Sequence, residues 1–276
     1  MNVVLADSLK KLRLSGMVKS LSVRLQEAAA NRLTHAEFLE LIVQDELAVR
    51  DDRAVDRRTR AARFRDQKTL EDFDWDFNPT IRRKQIFDLA AGSFVDKHTD
   101  VLFFGPPGTG KSHCAQAIGH ALIRAGRSVY YRSIFDAVRD LMHDEAFDNH
   151  EQIMARYLRP DLLILDDMGI KSLPKRSGEF LFEIIMRRHE LRSTLMTSNR
   201  PLEDWGKLIG DVPAATAILD RFLQSAEIIE FKGRSYRLSR REEVHGDTQL
   251  CLDSRGRIVG IRFSRNLVSQ LWRKMS

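Results

Sequence analysis

The chain has 276 residues, two cysteines and a formal net charge of +6. That length can bury a core without a metal or disulfide staple, and so few cysteines exclude a disulfide scaffold. No uninterrupted apolar run approaches bilayer thickness, so a cytoplasmic protein without a membrane partner is expected, its basic excess attracting polyanions.

Residues 1–68 read as helical, a small all-α domain suited to gripping DNA or a partner. Leu9, Leu12, Met17, Leu21 and Leu25 recur at intervals near one helical turn. A break is expected at 30–33, after which Thr34 and Glu37 have the form of a capping box opening a second helix. That helix starts apolar, with Phe38, Leu39, Leu41, Ile42 and Val43, and then turns basic. Arg50, Arg53, Arg57 and Arg60 follow at three- and four-residue spacing and so share one face. Such a face suits DNA phosphates; a solvated helix partly neutralised by Asp51, Asp52 and Asp56 is the alternative.

Residues 70–81 form an acidic, aromatic linker whose Phe73, Trp75 and Phe77 pack either on a nucleotide base or on the flank of the next domain. From about 82 to 231 strands alternate with helices, the signature of a parallel three-layer α/β/α domain. Strands are predicted at 101–104, 128–132, 162–165, 194–197 and 228–231, with helices including 135–141, 151–158 and 178–191.

Directly after the first strand stands Gly105-Pro106-Pro107-Gly108-Thr109-Gly110-Lys111-Ser112, the pattern G-x-x-x-x-G-K-[ST] of a phosphate-binding loop. Its glycines let backbone N–H groups face a phosphate, and the following helix turns its positive end to the same anion. Lys111 would reach the β- and γ-phosphates and Ser112 would ligate Mg²⁺, making ATP and Mg²⁺ the expected cofactors.

The strand at 162–165 runs into Asp166 and Asp167. Asp166 would hold the metal and Asp167 would polarise the attacking water. Asn199 closes a later strand, where it would orient that water or bond the γ-phosphate; a turn before Pro201 is the simpler role. Arg221, set in the apolar run 218–222, is suited to a neighbouring subunit's γ-phosphate, with an intrachain ion pair as the alternative. Lys171, Lys175 and Arg176 lie in a loop punctuated by Gly and Pro that would face DNA along the axis of a ring or spiral. Beyond 231, residues 235–238 and 258–263 read as strand-like and 267–275 as weakly helical, too little for a full lid domain. The expected division is therefore 1–68, 69–240 and a tail at 241–276 without an assigned role.

Taken in this order, the P-loop, the acidic pair, Asn199 and Arg221 resemble the AAA+ ATPases. More narrowly, four passages resemble the IstB-like transposition helper ATPases, relatives of the DnaC helicase loaders: Leu12-Arg13-Leu14-Ser15-Gly16-Met17, Lys68-Thr69-Leu70-Glu71-Asp72-Phe73, Thr197-Ser198-Asn199-Arg200-Pro201 and Gly233-Arg234-Ser235-Tyr236-Arg237-Leu238. The resemblance implies an ATPase that oligomerises on duplex DNA and recruits or stimulates a transposase. It also implies that Asn199 is a sensor and Arg221 a finger acting between subunits. Asp167 stands where most of the superfamily has Glu, which implies slow, DNA-stimulated hydrolysis. Without a full lid the second sensor falls to Arg234 or Arg237. The competing readings are a replicative helicase loader, a small-molecule kinase and a nucleotide switch that hardly turns over.

Overall fold

The computed structural model describes residues 3–144, 150–168, 174, 177–209, 212–237, 239, 248–252 and 258–263. The amino-terminal region is helical: α1 (Val3–Lys11), α2 (Ser15–Asn31) and α3 (His35–Ala62). The first helical stretch, predicted as continuous through Leu12, is thus two helices separated by a turn in which Arg13 has φ 58°. The break has a physical cause in Glu46. Its buried carboxylate accepts the N–H groups of Gly16 at 2.6 Å and Met17 at 3.3 Å, satisfying the start of α2 from a neighbouring helix. A Cβ on Gly16 would lie 2.7 Å from Asp45 O, so the Ser15-Gly16-Met17 passage marks close approach of α2 to α3.

The capping box is present as expected. Glu37 N donates to Thr34 Oγ1 at 3.3 Å and Thr34 N donates to Glu37 Oε2 at 2.7 Å. Helix α3 continues until Arg63 turns left-handed at φ 58°, and its last residue, Ala62, is buried in the core of the following domain.

Then come α4 (Arg83–Ala90), α5 (Ser93–Asp96), β1 (Val101–Phe104), α6 (Lys111–Arg124), β2 (Val129–Ser133), α7 (Ile134–Asp144) and α8 (His150–Leu158). They are followed by β3 (Leu162–Met168), α9 (Ser177–Arg188), β4 (Ser193–Ser198), α10 (Trp205–Ile209), α11 (Val212–Gln224) and β5 (Glu227–Glu230). The five strands form one sheet in the order β2-β3-β4-β1-β5, every pairing parallel. Alternation along the strands feeds two cores. Leu102, Leu163 and Met196 pack with α7, α8, α9 and α11, whereas Val101, Phe103 and Ile164 pack with α4, α6 and the end of α3. The predicted α/β/α layering is therefore present, with the helical region ahead of it. Since β3 and β1 both flank β4, the carboxyl ends of these three strands lie side by side, the edge where open parallel sheets bind ligands.

The expected strand at 235–238 is not one. Tyr236 and Arg237 are helical, and Ser239 N donates to Ser235 O at 3.1 Å. An edge position is denied them because Tyr236 N is already taken by Gly108 O at 3.0 Å. Residues 258–263 do form a strand, β7 (Ile258–Phe263), antiparallel to β6 (Thr248–Leu252). The helix expected at 267–275 lies outside the described residues. Among the described residues no helix is long and apolar enough to cross a membrane.

Candidate active site

The loop between β1 and α6 turns on Gly105, Gly108 and Gly110, at φ 140°, 81° and 102°. Space as well as backbone conformation demands glycine there. A Cβ on Gly105 would meet Phe231 O at 2.1 Å, and one on Gly108 would meet Ser235 Oγ at 2.1 Å. The loop is pressed from two sides, by the segment after β5 and by Phe73, whose ring lies against Gly110. The aromatic linker therefore packs on the flank of the domain: Phe73 on Trp75 and His113, and Phe77 edge-on to Tyr236. Thr109 Oγ1 donates to Pro106 O at 2.9 Å and steadies the curl.

Lys111 is buried, and its ammonium donates to Gly105 O at 2.7 Å and Pro106 O at 2.6 Å. Burial pushes its pKa down to about 8, against the carboxylates of Asp166 and Asp167. The carbonyls it holds border the loop's own cradle, so a phosphate entering there meets a charged donor already in place.

Asp166 is fully buried in β3 and accepts three hydroxyl donors. Ser112 Oγ donates to its Oδ1 at 2.8 Å, Tyr131 OH to its Oδ2 at 2.6 Å, and Thr197 Oγ1 to its Oδ1. Burial and this carboxylate both hold the Tyr131 hydroxyl protonated, pushing its pKa up. The hydroxyl–carboxylate pair Ser112 and Asp166 is a hard-oxygen donor set, and it fits Mg²⁺ shared with phosphates.

Asp167 is held differently. Its backbone has φ 65°, uncommon for a residue with a side chain, and its N–H donates to Thr197 Oγ1 at 3.0 Å. The β3–β4 register shifts between Leu165 and Met168, so the carboxylate stands off the ladder. Burial and Asp166 raise its pKa, while Arg65, Arg237 and Lys111 oppose that rise. Arg65 Nη1 lies 3.6 Å from Asp167 Oδ2.

Asn199 follows β4, with its N–H bonded to Met168 O at 3.0 Å, and the preceding Ser198 O accepts Gly105 N at 3.2 Å. The residue thus borders both the P-loop and the acidic strand. Arg221 is exposed on α11. On α3, Arg50 is drawn to Glu46 at 2.8 Å, whereas Arg53, Arg57 and Arg60 are exposed with no ion pair among the described residues. Lys171, Lys175 and Arg176 lie outside the described residues.

Tyr131 and Arg65 have no local sequence signal, and Thr197 opens a family-like passage that gives it no role. Tyr131 and Thr197 reach Asp166 only through the β2–β3–β4 register, and Arg65 arrives from the end of α3. Of the two second-sensor candidates, Arg237 bears electrostatically on Lys111 and Asp167, whereas Arg234 lies 5.9 Å from the ring centroid of Phe77.

Residues 7–244 match the family described as IstB-like ATP binding protein. The chain belongs to that family. An IstB-like relative from Pseudomonas aeruginosa, named for insertion sequence IS21 and for ATP binding, is 36% identical over 87% of this chain and 90% of its own length. One from Geobacillus stearothermophilus, named for IS5376, is 32% identical over 83% of this chain and 91% of its own. Among solved structures, AMPPCP-bound DnaA from Aquifex aeolicus superimposes with TM-score 0.52 at 22% identity, covering 64% of this chain and 54% of that one. This likeness shows that the IstB-like core shares the fold of that DnaA structure.

Proposed function

We propose that the chain is an ATP-dependent, DNA-binding helper of transposition. It assembles as a ring or spiral on duplex DNA and recruits or stimulates a partner transposase. The observation that carries this reading is the meeting of Lys111, Ser112, Asp166 and Asp167 at one sheet edge, in a chain whose relatives are named for insertion sequences. In this role residues 105–112 hold ATP, Ser112 and Asp166 hold Mg²⁺, and Asp167 and Asn199 orient the attacking water. The 1–68 region would grip DNA or partner through Arg50, Arg53, Arg57 and Arg60, helped by Lys171, Lys175 and Arg176. Residues 69–240 would be the ATPase unit, with 241–276 a separate tail.

Hydrolysis by the purified full chain, with and without duplex DNA, tests the reading. Lys111→Ala removes a buried charge-assisted phosphate donor worth about 1.5–3 kcal/mol, so nucleotide affinity should fall roughly 10- to 100-fold and turnover should vanish. Unimpaired affinity would overturn the assignment. Capture of a replicative helicase and never a transposase would replace transposition by helicase loading.

A further inference from the structure

Residues 64–66, just past α3, are fixed to the helix that follows the P-loop. The Phe64 ring lies against His120, with centroids 4.0 Å apart, and against Tyr131 at 5.9 Å. Asp66 N donates to Gln116 Oε1 at 3.0 Å, while Gln116 Nε2 donates to Ser112 O at 3.3 Å. His120 Nε2 donates to Asp66 O at 3.4 Å. This short stretch therefore stands one side chain away from both Ser112 and Asp166, and from that anchor Arg65 extends to Asp167.

We propose that Arg65 is the positioning residue for Asp167, and that residues 63–68 transmit the state of α3 to the hydrolytic site. The inference rests on the reading of Asp167 as the residue that orients water. Three cations bear electrostatically on that carboxylate: Arg65, Lys111 and Arg237. Lys111 is committed to the loop, where phosphate would claim it, and Arg237 follows the Ser235–Tyr236 pair packed on Gly108. Of the three, Arg65 is the one that makes an ion pair with Asp167 among the described residues. The contact brings its Nη1 to 3.6 Å from Oδ2.

As a surface ion pair this contact would stabilise the fold little, since the Arg65 side chain is 56% exposed. Its value lies in orientation. Asp167 sits in a left-handed backbone conformation, and misplacement of a water-orienting carboxylate by about 1 Å costs on the order of 100-fold in rate. Because α3 leads straight into this segment, a small movement of the helix is delivered to the carboxylate.

The test uses the full chain with Arg65→Ala and Arg65→Lys. Steady-state hydrolysis is compared with affinity for a fluorescent ATP analogue, and hydrogen exchange at 55–68 is followed with and without a non-hydrolysable analogue and Mg²⁺. For the alanine variant kcat should fall about 10- to 100-fold while KM and analogue affinity stay within about twofold. The lysine variant should recover part of the loss. Nucleotide should slow exchange at 55–68 in the wild type, and less so in Arg65→Ala. Unchanged or raised kcat, or an equal loss of affinity and kcat, overturns the proposal. A wild type that binds nucleotide without hydrolysing it refutes the catalytic reading instead; the exchange data then decide separately, and no nucleotide effect at 55–68 sinks the coupling.

Discussion

Asp100 and Arg188 are buried together at the amino-terminal edge of the sheet, remote in role from the nucleotide chemistry. Asp100 Oδ1 accepts Thr194 N at 2.7 Å, and Arg188 donates to Tyr157 O at 2.8 Å, Pro160 O at 3.0 Å and Thr194 Oγ1 at 3.1 Å. Burial pushes the Asp100 carboxyl up to about 7, against the pull of Thr194 N–H and Arg188. A carboxyl whose folded pKa exceeds its unfolded one binds a proton on folding. Its contribution to stability therefore falls as pH rises from about 4 to about 7 and is level above that window. Burial also depresses Arg188, to about 9, so its own change lies at higher pH. Asp100→Asn keeps the acceptor oxygen and deletes the titration. Between pH 5 and pH 8 the variant should gain on the wild type by roughly 2–3 kcal/mol, at about 1.4 kcal/mol for each unit of the shift that lies in that range. Urea melts at the two pH values measure this, and parallel pH profiles would refute it. Neither residue is conspicuous in the sequence, because nothing local tells a buried charge from a solvated one. Only the sheet places Thr194 beside Asp100.

At the scale of elements, what could be read in advance was whatever depends on neighbours in the chain. The P-loop, the run into Asp166 and Asp167, the Thr34–Glu37 cap and the five strands are all local patterns, and each is present. The failures are contacts made over distance. The leucine spacing runs unbroken through Leu12 although Glu46, from another helix, starts α2 at Ser15. Residues 235–238 alternate like a strand, yet packing on Gly108 turns Tyr236 and Arg237 helical. Within the basic helix the local i,i+4 pair of Glu46 and Arg50 sets Arg50 apart from Arg53, Arg57 and Arg60. If those three meet phosphates, replacing them by alanine should weaken duplex binding at every sequence alike. It should also lower the slope of log affinity against log salt by up to about 2.7, from roughly 0.9 per phosphate contact. Fluorescence anisotropy across a salt series gives the slope, and an unchanged slope would move the DNA surface elsewhere.

For the whole molecule the remaining question is how one copy's site is completed. The carboxyl edge of the sheet assembles Lys111, Ser112, Asp166, Asp167 and Asn199 from three adjacent strands. Arg221 stands outside that group, exposed on α11. An arginine that stabilises charge on the γ-phosphate must reach it, and if the proposed assembly forms, the exposed Arg221 would serve a neighbouring copy. Arg221→Ala should then leave ATP affinity of the isolated chain within about twofold while turnover drops on the order of 1,000-fold. Mixing decides between cis and trans action. When Arg221→Ala is titrated into Lys111→Ala, each inactive alone, a site with an intact P-loop can receive the arginine of its neighbour. Partial activity should return at intermediate ratios; if every mixture stays as inactive as its components, Arg221 acts within its own chain.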